Sequence, residues 1–128
     1  MKITLIITLF LLFICPLLHA NIGSNKNALI GKYGEPVSKG LGNLTFKKDG
    51  MTIKAYFIGQ ICERIDYSMN SSTQSAVKKI LKGHGTFTMD SFDEKNSAAI
   101  YKDSKTKHKA TWYTKKKLLS IYSPKMDK

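Results

Sequence analysis

Three groups of residues in this chain have the types and spacing to do chemistry. Cys62 with His84 or His108 would make a thiol nucleophile and its base. Asp90, Asp93 and Glu94, with His84 nearby, would offer ligands to a cation. Lys102, Lys105, Lys107, His108, Lys109, Lys115, Lys116 and Lys117 surround Trp112 and Tyr113 and would attract an anionic surface. The first two groups are poor patterns. No nucleophile-elbow motif frames the cysteine or the histidines, and the acidic spacing matches no zinc or EF-hand template. No glycine-rich phosphate loop is present, and nothing selects a glycosidase-type pair from the nine acids. The sequence therefore names no catalytic residue, no metal ligand and no cofactor. Asn43-Leu44-Thr45 and Asn70-Ser71-Ser72 match the glycosylation sequon, which acts only in a eukaryotic secretory route.

The start of the chain bears on where any such chemistry would operate. Met1-Lys2, an apolar run from Ile3 to Leu18, then His19-Ala20 read as a signal peptide over residues 1–20, cut after Ala20. Two other readings stay open. An uncleaved anchor is one, although a spanning helix needs roughly 20 apolar residues. A lipoprotein at Cys15 is the other, although Ile14 stands where a small residue is usual. The expected location is periplasmic or secreted. Nucleic acid is not an expected partner there.

The export reading fixes the cysteine arithmetic. Residues 21–128 keep only Cys62, so no intrachain disulfide forms. A buried small residue is the plain role for that thiol. The full chain carries a net charge of +12, reduced by one when Lys2 leaves. Arg64 is the sole arginine, so the charge is lysine charge. It favours solubility and anionic surfaces without naming a partner.

The elements that must position these residues follow from pattern. A short helix is expected over 27–33, capped by Asn25 or Asn27 and stopped at Gly34-Glu35-Pro36. Residues 37–42 read as a loop. Strands are expected over 43–47, 51–58 and 61–69, with Asp49-Gly50 and Gly59-Gln60 as turns. In the third strand Ile61, Glu63, Ile65 and Tyr67 alternate against Cys62, Arg64, Asp66 and Ser68. A helix over 73–82, opened by a capping box at Ser71 and Gln74, places Ala76, Val77, Ile80 and Leu81 on one face. Residues 86–96 read as a short strand or an irregular loop. Strands over 97–102, 107–114 and 117–123 close the chain before Pro124.

Leu44–Ser68 lies over Ala99–Ser123 without gaps. Phe46 falls on Tyr101, Lys54 on Lys109, Ala55 on Ala110, Phe57 on Trp112 and Tyr67 on Tyr122. This predicts an α+β domain over 21–128. It would hold two tandem units, about 24–69 and 71–123, each a helix plus a three-stranded antiparallel meander. The units would share one sheet with both helices on one face. The helix ending at Tyr33-Gly34-Glu35-Pro36, followed by the meander Leu44–Tyr67, resembles the repeat of β-lactamase-inhibitor-like proteins and of SmpA/OmlA-type, BamE-like outer-membrane lipoproteins. The resemblance implies a non-enzymatic envelope or secreted protein that binds other proteins. It carries no functional residue over.

Two binding surfaces are then expected. The open face of the sheet would meet a protein partner in the bacterial envelope, with Tyr56, Ile58 and Tyr113 as contacts. Alternatively Lys107, Lys109, Lys115, Lys116 and Lys117 would meet an anionic membrane surface or another polyanion. The plain reading of the same residues is a core Trp112 and a solvated lysine edge that discourages strand pairing.

Overall fold

The structure, a computed structural model, describes residues 21–70 and 74–126. The expected signal segment and the Ser71 half of the capping box lie outside the described residues. Helix α1 spans Lys26–Tyr33 and helix α2 spans Gln74–His84. The strands are β1 Ser38–Gly40, β2 Asn43–Lys48, β3 Met51–Ile58, β4 Ile61–Met69, β5 Phe87–Asp93, β6 Ala98–Asp103, β7 Lys109–Tyr113 and β8 Leu118–Tyr122. All eight join one antiparallel sheet in the order β1-β2-β3-β4-β8-β7-β6-β5.

This corrects the expected architecture. The described residues are mostly β, an eight-stranded sheet with two short α-helices, and not two tandem units of one helix and three strands. The strand that the pattern read as loop, β1, and the one it left open between strand and loop, β5, are the sheet's edges. Ser38–Gly40 has no apolar alternation and two nearby glycines, yet it pairs with Asn43–Thr45. Phe87–Asp93 is largely exposed, and a register shift between Met89 and Ser91 interrupts its alternation. Edge strands bury little, so their sequences carry little period.

Local chemistry explains the ends of α1. The Asn25 side chain accepts from the Ala28 N–H at 2.9 Å, filling one of the open donors of the first turn. Gly34, at φ 89°, ends the helix, and its N–H donates to the Ile30 carbonyl oxygen. The β2–β3 turn places both Asp49 (φ 53°) and Gly50 (φ 76°) in the left-handed region, as a two-residue hairpin requires.

Leu44, Phe46, Ile53, Ala55, Ile65, Tyr67, Leu119, Ile121, Ala110 and Trp112 form the core on one face of the sheet. Leu29 from α1 and Val77 and Leu81 from α2 close over it. Trp112 is therefore a core residue. Tyr67 joins the two helices: its hydroxyl meets the Tyr33 hydroxyl at 2.8 Å and His84 Nε2 at 2.6 Å. Both described helices thus cover the same face, and among the described residues no helix covers the other.

Register decides which side chains reach that open face. Tyr56 stands opposite Arg64, but its neighbour Phe57 stands opposite Cys62, so Glu63 is an extra residue in β4. The bulge reverses the alternation on one side of it. Ile65 and Tyr67 face the core, and so does Cys62, while Ile61 turns outward. Residues matched in the sequence overlay keep the same face in β2 and β6 and in β3 and β7. In β4 and β8 they do not: Tyr67 is core and Tyr122 lies on the open side.

Candidate binding face

The open face is built from alternate residues of the central strands. One row crosses the sheet as Thr45, Lys54, Asp66, Ser120, Thr111 and Ile100. The next row is Asn43, Tyr56, Arg64, Tyr122, Lys109 and Lys102. Tyr113 lies between Leu118 and Ala98 in a third. The face is polar, cationic and aromatic at its centre.

Arg64 organises that centre. Its Nε donates to Asp66 Oδ1 at 2.9 Å and its Nη2 to Oδ2 at 2.8 Å. The two residues are two apart on one strand, which puts both side chains on the same face. This bidentate pair fixes the plane of the guanidinium. The hydrogen bonds that Arg64 donates to Asp66 raise the Arg64 pKa further, against a smaller opposing effect of burial. Arg64 Cζ also lies 5.0 Å from the centre of the Tyr56 ring, and Lys54 Nζ lies 5.4 Å from it. Asp66 is only 8% exposed, and Ser120 and Thr111 beside it are buried. Tyr56 thus lies beside a guanidinium whose plane the Asp66 pair fixes.

The predicted contact residues separate into two places. Tyr56 is half-buried on the face, and Ile58 is half exposed at the β3–β4 hairpin, opposite Ile61. Tyr113 is half-buried on the same face with Lys116 Nζ 5.3 Å from its ring centre. The lysines do not gather. Lys107 sits exposed in the β6–β7 loop at φ 65°, and Lys109 opens β7. Lys115, Lys116 and Lys117 lie past its other end, where Lys117 Nζ donates to the Asn70 carbonyl oxygen at 3.1 Å. A five-residue strand spans about 17 Å, so β7 keeps the two sets apart.

The remaining chemical candidates are structural in their geometry. Cys62 is fully buried, its Sγ donates to the Arg64 carbonyl oxygen, and burial pushes its thiol pKa up to about 12. It offers no thiolate and no histidine partner. His84 is half-buried with its Nδ1 enclosed, and this desolvation lowers its pKa to about 3, with Lys32 adding to the shift. The ring is therefore neutral at any ordinary pH. Burial also lowers the His108 pKa. Among the described residues no three His, Cys, Asp or Glu side chains converge as a metal site. Asp90 pairs with Lys102 at 3.2 Å, and Asp93 accepts from Asn96.

Two features escaped the sequence reading. The Arg64–Asp66 pair carried a usable signal, opposite charges two apart on a strand. Asp103 carried a weaker one. Its carboxylate accepts from the N–H groups of Thr86, Lys105 and Thr106, and so ties the β6–β7 loop to the start of β5. Burial alone would raise its pKa, but these donors outweigh it and the pKa is lowered.

Comparison with protein-family models, curated proteins and solved structures gave no match to this chain. No helix among the described residues is long and apolar enough to cross a membrane.

Proposed function

We propose that the protein is an exported, non-catalytic binding module that takes a protein partner on the open face of its sheet. The observation that carries this reading is the ordered Tyr56–Arg64–Asp66 group at the centre of a face that no described helix covers. Tyrosine and arginine dominate the energetics of protein interfaces, and they do so best when already immobilised, because less rotamer freedom is lost on contact. The pair also tolerates being covered: Arg64 and Asp66 satisfy each other, so a partner would not strand a charge. The exported location rests on the apolar N-terminal segment, and the binding theme agrees with the resemblance noted for the helix and meander pattern.

The test is capture of a crosslinked partner from an envelope extract by the parent chain and by two variants. Tyr56→Ala should weaken capture by about tenfold or more. Reversal of Lys115, Lys116 and Lys117 to Glu, at the end of the face, should leave it within about threefold, since charges at the rim of an interface act chiefly on association rate. Equal capture by the Tyr56→Ala variant would remove the open face from the interaction.

A further inference from the structure

Two neighbouring turns at one end of the sheet hold three large apolar side chains in water. Ile58 and Ile61 flank Gly59-Gln60 and stand opposite each other, 49% and 40% exposed. Leu41, in the β1–β2 turn, is fully exposed. The two turns adjoin, because the Phe57 N–H donates to the Gly42 carbonyl oxygen at 2.9 Å. None of the three packs into the core. Contiguous exposed aliphatic side chains mark a contact surface.

Antiparallel pairing brings lysines to the same end. The β6–β7 loop contributes Lys105 and Lys107, both exposed. Lys125 follows β8, and its segment is fixed there by the Ser123 N–H donating to the Glu63 carbonyl oxygen at 2.8 Å. Lys39 is exposed in β1. Among the described residues of these turns the acids are Glu63 and Asp103, and both are buried. Glu63 faces Lys125 at 3.8 Å, and Asp103 is occupied by loop N–H groups. The opposite end differs: Asp49 and Glu94 are exposed there among the lysines.

An apolar tip ringed by lysines, with no exposed acid among the described residues of its turns, is the arrangement that a membrane interface selects. Aliphatic side chains enter the boundary of the acyl region, while lysine stems lie along it and keep their charge at the headgroups. Lysine suits headgroups because the attraction is to a diffuse negative surface and needs no fork geometry. We propose that this end of the sheet docks on an anionic membrane surface, with Leu41, Ile58 and Ile61 in the interface and Lys39, Lys105, Lys107 and Lys125 at the headgroups. Docking by the end of the sheet leaves the Tyr56–Arg64 face uncovered. The two sites are separate, and loss of one leaves the other standing.

The test reads position locally, so that adsorption through the apolar segment 3–18 cannot imitate it. Leu41→Trp places a reporter at the tip, and Lys116→Trp places one at the opposite end. Each full-length variant is read against the parent chain, whose Trp112 is buried in the core. Vesicles of phosphatidylglycerol mixed with phosphatidylethanolamine should shift the emission of the Leu41→Trp variant to the blue, and brominated lipids should quench it. The Lys116→Trp reporter should respond to neither, and vesicles of phosphatidylcholine alone should give a far weaker response at the tip. Joint replacement of Leu41, Ile58 and Ile61 by Asn, followed by a label on the hairpin at Gln60, should lower the local partition by about tenfold or more. A Leu41→Trp reporter that stays in water with both vesicles overturns the proposal. So does an equal response at the two ends, or equal response to anionic and neutral vesicles.

Discussion

The hydroxyl of Tyr67 lies 2.6 Å from His84 Nε2, and on its other side 2.8 Å from the hydroxyl of Tyr33. One strand residue therefore holds the last residue of each helix. The sheet alone has no reason to keep both helices on one face. A hydrogen-bonded chain centred on the buried Tyr67 does, because breaking it leaves partly buried polar groups without their partners.

Tyr67→Phe should lower the unfolding free energy by about 1–3 kcal/mol, since two partners lose their contact at once. Tyr33→Phe removes a terminal member of the chain and should cost about 1 kcal/mol. Denaturant melts of the two variants check the order. A larger loss from Tyr33→Phe would contradict the central place of Tyr67.

The same chain sets an acid sensitivity. His84 has a folded pKa of about 3 against an ordinary 6.5, so protons favour the unfolded state. Its contribution to stability is fully present above pH 6.5 and is lost as the pH falls toward about 3. The loss runs at up to about 1.4 kcal/mol per pH unit. Asp103 adds to it lower down. Its depressed folded pKa contributes stability above the unfolded carboxylate value, near 3.9, and that contribution falls away in stronger acid. Thermal melts from neutral pH downward should show the decline, and His84→Gln should flatten its upper part.

Cys62 should be a poor thiol. Burial and the raised pKa together predict that a thiol reagent at mildly alkaline pH reacts with the native chain about a thousandfold or more slowly than with the unfolded chain. A stopped-flow comparison with and without denaturant measures the ratio. Prompt reaction of the native protein would place the thiol at the surface.

Much of the sheet was legible because alternation survives where one face is buried. Leu44 and Phe46, Ile53 and Ala55, and Leu119 and Ile121 show it plainly. The edges were less legible: 86–96 read as either a strand or a loop, and Ser38–Gly40 gave no strand signal, since it is exposed throughout and carries no period. The bulge at Glu63 was hidden for another reason. It exchanges the faces of Ile61 and Cys62, two apolar residues of similar strand preference, and no turn residue marks the change. Of the open face, Tyr56, Ile58 and Tyr113 could be named from their parity. The Arg64–Asp66 pair that orders Tyr56 depended on register between strands. The lysines of the last third looked like one cluster in sequence, but β7 divides them. The Tyr33–Tyr67–His84 chain joins residues far apart in sequence and left no local signal.

The open face is tested most directly by a photoreactive phenylalanine analogue placed at Tyr56 and, as a control, at exposed Lys79 on α2. After irradiation in envelope extract and washing in high salt, a discrete protein adduct is expected at position 56 and not at position 79. Adducts of equal yield at both positions, or none at position 56, would contradict a partner on the open face.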